Sequence, residues 1–66
     1  MREQNYIVQF QRRDGLPDEE YIYYEKDEAE RHFRLFYNDD SGLYSRIVLL
    51  SWFGDITSEL RVISFD

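Results

Sequence analysis

A histidine and a few carboxylates are the main residues of this chain whose types and spacing suggest chemistry. His32 lies four residues after Glu28, a separation at which a helix brings a carboxylate beside an imidazole and can orient it as a base. The same spacing also gives an ordinary surface contact of helices. No serine stands in a Gly-x-Ser-x-Gly setting, and cysteine is absent. The sequence therefore predicts a protein that is not an enzyme.

Metal and cofactor sites are not predicted either. Structural zinc requires about four cysteine or histidine ligands, and this chain supplies a single histidine. Asp39, Asp40 and Ser41 are adjacent, but they lack the ligand spacing and the glycine of a calcium-binding loop. No glycine-rich sequence typical of a nucleotide-binding loop is present. We therefore expect no metal and no cofactor.

Charge is distributed unevenly along the chain. The net charge is −6, and residues 14–30 alone contribute −7, from eight carboxylates and one lysine. Such a field repels phosphates, so direct nucleic-acid binding is not expected. The segment is either a surface that imitates nucleic acid and docks a basic protein, or a set of solvated charges that protect an edge strand and a helix N-terminus, which is the more common use. The candidate acidic surface consists of Asp18, Glu19, Glu20, Glu25 and Glu28.

The length of the chain allows one domain, residues 1–66. A domain of this size buries only about 60% of the surface of its unfolded chain, so its stability is marginal. Disulfides and histidine–cysteine metal cages are not available, which leaves a partner chain as the remaining support. The N-terminus carries no apolar signal region, and no segment approaches the ~20 apolar residues of a membrane span, so we expect a cytoplasmic protein without membrane contact.

Alternating side chains and turn residues predict the order β-β-α-β-β. In the first strand, Tyr6, Val8 and Phe10 share one face, which is the period of a half-buried strand. Asp14-Gly15 then reverses the chain into a hairpin. The simplest architecture is an α+β fold in which one helix packs on one face of a four-stranded antiparallel sheet. The predicted elements are Tyr6–Arg12, Glu20–Glu25, a helix from Asp27 to near Asn38–Asp40, Tyr44–Phe53 and Glu59–Phe65.

The predicted helix has a start signal and an apolar stripe. Asp27 is expected to begin it, because its carboxylate can accept a hydrogen bond from the backbone N–H of Glu30 while Glu30 reaches back, as in a capping box. Leu35 falls on the solvent side at ~100° per residue. The stripe that should face the sheet consists of Ala29, Phe33, Phe36 and Tyr37.

The third strand is apolar on both faces. Apolar and polar side chains do not alternate from Ile47 to Leu50, although they should in a strand with only one covered face. We expect Tyr44, Val48 and Trp52 to share one face. One helix covers only one face of a sheet, so the other face is expected to form an interface, in a homodimer or with another protein, unless twist and the chain termini cover it. The candidate interface residues are Trp52, Ile22, Tyr23, Ile63 and Phe65.

Three features follow one another along the chain: the Asp14-Gly15 turn between two strands, an acidic helix with Ala29 and Phe33, and a strand opened by residues 43–47, Leu-Tyr-Ser-Arg-Ile. In this order they resemble short uncharacterised ββαββ proteins of Firmicutes-type bacteria, their phages and mobile elements. The resemblance spans nearly the whole chain. It implies a bacterial or phage source and a small accessory role, and it implies no activity and no site residue.

Three functions are therefore hypotheses at this point. The favoured one is a non-enzymatic interaction module that binds itself or another protein through an apolar and aromatic sheet face. The second is an acidic inhibitor that imitates nucleic acid and blocks a basic, nucleic-acid-binding protein. The third and least favoured is a small enzyme that uses His32 or clustered carboxylates.

Overall fold

The computed structural model describes residues 4–65, and these form one four-stranded antiparallel sheet with a single helix packed on it. The predicted α+β class and the order β-β-α-β-β are confirmed. The elements are β1 (Gln4–Arg12), β2 (Glu19–Tyr23), α1 (Lys26–Arg34), β3 (Tyr44–Phe53) and β4 (Ile56–Ser64).

The strands lie in the order β2-β1-β3-β4, so β1 and β3 are central and β2 and β4 are the edges. The helix connects β2 to β3 and thereby passes β1, which pairs with both of them. Gly54 has a φ of 60° in the tight turn between β3 and β4. Glycine adopts this left-handed conformation without a clash of Cβ, so the hairpin can close in two residues.

The hydrophobic core lies between the helix and one face of the sheet, which we call the covered face. Phe10 lies opposite Ile47 and Val8 opposite Leu49, so β1 and β3 present their largest apolar side chains at the same place. The predicted helix stripe is present in part: Ala29 and Phe33 of α1 are buried, whereas Phe36, which is half-buried, and Tyr37, which is 47% exposed, follow the end of α1. The fully buried cluster consists of Val8, Phe10, Ala29, Phe33, Ile47 and Leu49.

The predicted start of the helix is wrong. The helix begins at Lys26, and Glu25 occupies the N-cap position with φ −116° and ψ 134° and no side-chain hydrogen bond. A capping residue needs this extended backbone, whereas Asp27 already lies inside the helix. At the other end, Leu35, Phe36 and Tyr37 each donate a backbone hydrogen bond to the carbonyl three residues earlier. The α-helix therefore stops at Arg34 and tighter turns continue to residue 38.

Strand irregularities account for the other differences from the predictions. The register shifts between Gln11 and Arg12, so Tyr44 lies on the covered face with its ring centroid 5.1 Å from that of Phe10. The prediction that Tyr44 shares a face with Val48 is therefore wrong, because simple alternation cannot count the extra residue of a bulge. β4 begins at Ile56 rather than at the predicted position 59, since the tight turn keeps the strands paired up to their ends.

The core predicts a large difference between two chemically identical substitutions. Leu49→Ala should lower the free energy of unfolding by about 2–5 kcal/mol, because it leaves a cavity at a fully buried position. A domain of this length has a free energy of unfolding of about 3–10 kcal/mol in total, so this loss removes a large fraction of its stability. Leu35→Ala, at a position 78% exposed, should change it by no more than about 0.5 kcal/mol. Denaturant titration monitored at Trp52 tests this, and equal losses would contradict the described core.

Candidate interaction surfaces

The face of the sheet opposite the helix, which we call the open face, carries a band of apolar residues across all four strands. Ile22, Ile7 and Leu50 are direct neighbours across β2, β1 and β3, and Val48 lies beside Val62 of β4. Trp52 follows two residues after Leu50 and therefore lies on the same face. We call these six residues the apolar band: Ile7, Ile22, Val48, Leu50, Trp52 and Val62.

Much of the apolar band is accessible to solvent. Ile22 is 57% exposed, and Trp52 and Val62 are each 41% exposed. Val48 is 1% exposed, because neighbouring side chains on β1 and β4 flank it. The helix contacts β1, β2 and β3 from the covered face, so within residues 4–65 no helix lies over the band. Leu60, the extra residue of a bulge in β4, adds a further apolar side chain that is 41% exposed.

Polar residues border the band. Glu20 accepts a hydrogen bond of 3.1 Å from the side-chain amide of Gln9 on the β2 side. Arg46 and Glu59 approach to 3.9 Å on the β4 side. Asn5, next to Trp52 on the neighbouring strand, has a buried side-chain oxygen without a hydrogen-bond partner in the described structure. The open face thus has an apolar centre and a polar margin, the usual arrangement of a protein interface.

The structure divides the candidate interface residues between the two faces. Trp52 and Ile22 lie on the open face. Tyr23 pairs with Tyr6 and Ile63 with Ile47, so both belong to the covered face and pack against the core, as does Phe65. Those three candidates therefore do not form part of the open face, because neighbouring residues of a strand point to opposite sides. The remaining members of the band were recognisable in sequence only as apolar strand residues.

A second surface is the groove between β2 and α1. It is an open depression of about 500 Å³, lined by Tyr23, Glu28, Arg31, His32 and Leu35. Nδ1 of His32 and the hydroxyl of Tyr23 are 2.7 Å apart and form a hydrogen bond. Burial lowers the pKa of His32, because desolvation disfavours the charged imidazole. The ring of His32 also contacts those of Phe10, Tyr21 and Phe36. The imidazole is thus held as a packed aromatic, and its Nδ1 bonds to Tyr23 rather than to Glu28.

The candidate acidic residues surround β2 without sharing one face. Glu19 lies on the covered face opposite Phe10, whereas Glu20 lies on the open face opposite Gln9. Glu25 is the N-cap of the helix, Glu28 lines the groove, and Asp18 is exposed in the loop before β2. The acidic surface therefore follows an edge of the sheet.

Arg12 compensates part of this charge. Its guanidinium pairs with Asp14 at 2.6 Å and also with Glu19, which closes the hairpin of β1 and β2. The Arg12 side chain lowers the pKa of Asp14 to about 2, chiefly through its hydrogen bonds to the ionised carboxylate. The hydroxyl of Tyr21 donates to Glu19 at 3.1 Å, and this hydrogen bond raises the pKa of Tyr21 because it favours the protonated phenol.

Between residues 4 and 65, no group of three or more His, Cys, Asp or Glu side chains is placed so that it could hold a metal ion. No helix in this range has the length and apolar character to cross a membrane.

Comparison with known proteins gave no match to a family model, to a curated protein or to a solved structure. The resemblance to short proteins of bacteria and mobile elements therefore stays a prediction.

The pKa of His32 can be measured directly, because the chain has one histidine and hence one set of imidazole signals in an NMR spectrum. We expect a pKa below the ordinary 6.5. The unfolded chain then binds a proton more readily than the folded one, so stability is lost as the pH falls from above 6.5 through the lowered value. The titratable or charged groups around the ring are Tyr21, Tyr23, Glu28 and Arg31.

His32→Gln is the matched variant for this measurement. Its free energy of unfolding should depend less on pH between about 7 and 5 than that of the original chain, whatever the cost of the lost ring contacts. An NMR pKa at or above 6.5, or an unchanged pH dependence in His32→Gln, would contradict the described burial.

The Arg12 contact gives a separate prediction at lower pH. In Arg12→Gln, the pKa of Asp14 should rise from about 2 towards its ordinary 3.8, because the main stabilisation of the ionised form is removed. The contribution of this pair to stability is present above pH 3.8 and is lost as the pH falls through about 2. Carboxyl-detected NMR titration tests the shift. Arg34→Gln, which removes a guanidinium paired with Glu30 on the helix, is the control and should leave Asp14 unchanged.

Proposed function

We propose that this chain is a non-enzymatic interaction module that forms a homodimer through the open face of its sheet. The observation that carries the proposal is the apolar band. It crosses four strands, keeps Ile22, Trp52 and Val62 substantially exposed, and has a polar margin. Contiguous exposed apolar surface of this kind is characteristic of binding sites.

The dimensions of the molecule support a further layer of structure packed on the open face. The radius of gyration is 12.1 Å, compared with about 10.8 Å expected for a compact chain of this length. The smallest extent is 15 Å, which corresponds to one sheet and one helix. The accessible surface is 4797 Å², compared with about 4,500 Å² expected for this mass. A second copy stacked on the open face, with the sheets ~10 Å apart, would give a four-layer assembly with a central apolar layer.

A two-fold axis in the plane between two stacked sheets would bring the apolar bands of two copies together, because an isologous interface uses the same patch on both partners.

The free energy that the apolar band can contribute to dimerisation is moderate. Complete burial of a large apolar side chain contributes about 1.5–3 kcal/mol, and the exposed members of the band are already half covered. Two copies of Ile22, Trp52 and Val62 would therefore contribute several kcal/mol before the cost of association is subtracted. This favours a weak dimer, with a dissociation constant on the order of 0.1–1 mM.

The dimer predicts that mass and melting temperature depend on concentration. Sedimentation equilibrium between about 1 and 500 μM should show a shift from monomer to dimer, with a melting temperature that rises with concentration. Val62→Glu should remain monomeric throughout, because it puts two charges into the apolar layer. Leu35→Glu is the matched control, since Leu35 is more exposed than Val62 and lies at the C-cap of the helix, away from the open face.

A monomer at every concentration would overturn the homodimer, as would equal dissociation by Val62→Glu and Leu35→Glu. Circular dichroism of both variants separates loss of the dimer from loss of the fold, because an exposed position on a folded monomer should accept glutamate without unfolding.

The alternative function, an acidic inhibitor that imitates nucleic acid, has less support. Glu19 is already paired with Arg12, and Glu19 and Glu20 lie on opposite faces of the sheet. A phosphate backbone would instead be imitated by unpaired charges in one line. This hypothesis stays a prediction, and capture of a basic protein that is lost on charge reversal of Glu19, Glu20 and Glu25 would support it.

A further inference from the structure

We propose that the free edge of β2, with the groove beside it, binds an extended basic segment of a partner polypeptide as a fifth strand. This surface is separate from the centre of the open face, because it follows the free edge of β2 and extends into the groove on the side of the helix. The proposal therefore does not depend on the homodimer.

The first support is the unpaired edge. β2 pairs with β1 along residues 19–23, and in the described structure no strand lies on its other side. Every second residue of an edge strand directs its backbone N–H and C=O groups outwards, where they can pair with an added strand. The helix lies beside this edge without covering it, since the groove between them is open.

The second support is charge, which also selects the occupant. Glu19 and Glu20 lie on β2, and Asp18 and Glu25 flank it. A second copy of β2 in this position would add four more carboxylates to the same edge, and this accumulation of like charge opposes the pairing of two copies. A strand that carries lysine or arginine would instead be attracted to these carboxylates. Glu20, on the open-face side of β2, is the contact expected for a basic side chain, because Arg12 already neutralises Glu19 on the other side.

The third support is the groove itself. Side chains of an added strand alternate between the two faces, so those on the side of the helix would enter the depression between Tyr23, His32 and Leu35. Glu28 and Arg31 offset each other in its lining, which leaves an apolar site. Leu35 is 78% exposed and would be covered by an aliphatic side chain. The matching segment therefore alternates basic and aliphatic residues.

The experiment uses an eight-residue peptide of alternating lysine and valine with blocked termini. Titrated into the full chain, it should shift the backbone NMR signals of β2 and of the groove, and alternate β2 amides should become protected from hydrogen exchange. Binding should weaken markedly when salt is raised from about 50 to 500 mM. Glu20→Lys should weaken it at least about fivefold, the equivalent of one ion pair.

The controls separate strand addition from charge attraction. The same peptide methylated at every backbone nitrogen keeps its charge and side chains but has no backbone donors, so it should not bind. Leu35→Ser should weaken binding and Leu43→Ser should not, although both leucines are exposed. Asp55→Lys, at the distant β3–β4 turn, is the control for charge reversal. Val62→Glu should bind the peptide normally, so failure of the homodimer and failure of this proposal remain distinguishable.

Three results would overturn the proposal. The first is the absence of shifts in β2 at millimolar peptide. The second is binding of the methylated peptide with the same affinity as the unmethylated one, which would show that charge attraction accounts for binding without strand addition. The third is protection of the β2 amides that rises with protein concentration without peptide, which would make a second copy the occupant.

Discussion

Phe33 and Ala29 of the helix are fully buried against Val8, Phe10 and Leu49, and this contact fixes which side of the sheet is covered. A helix of nine residues can cover the middle of one face and nothing more. The strands nevertheless carry apolar side chains on both faces. The exposed apolar band and the thin shape of the molecule both follow from this single mismatch between a two-sided sheet and one helix.

The sheet order places β2 at an edge, and this has consequences for the acidic segment. The same carboxylates that repel a second copy of β2 also protect the edge from uncontrolled pairing. Arg12 reduces their mutual repulsion by closing the hairpin onto Asp14 and Glu19. An edge with this charge would tolerate a basic strand and exclude most others, so one set of residues would supply both solubility and selectivity.

His32 is a residue of a type that often serves in catalysis, but in this fold its ring is packed among aromatic side chains. Its ring lies among Phe10, Tyr21 and Phe36, and its Nδ1 bonds to Tyr23. The spacing to Glu28 suggested a base and its orienting carboxylate, but spacing along a helix does not reveal what approaches from the sheet. Tyr21 and Tyr23 of β2 and Phe10 of β1 provide contacts from the sheet, and the periodicity of the helix contains no information about them.

Local patterns in the sequence determined the elements: alternation and turn residues identified four strands, the bounds of β3, and the helix stripe at Ala29 and Phe33. The helix cap was not predictable, because Asp27 and Glu25 both suit a helix N-terminus and the backbone decides between them. Which residues share a face was only partly predictable, because the bulge at Gln11–Arg12 moves Tyr44 to the covered side. An uncovered apolar face was predictable, but its full set of residues and the groove were decided by tertiary structure. They depend on strand order and register, which arise from contacts between residues far apart in the chain and leave no local periodic signal.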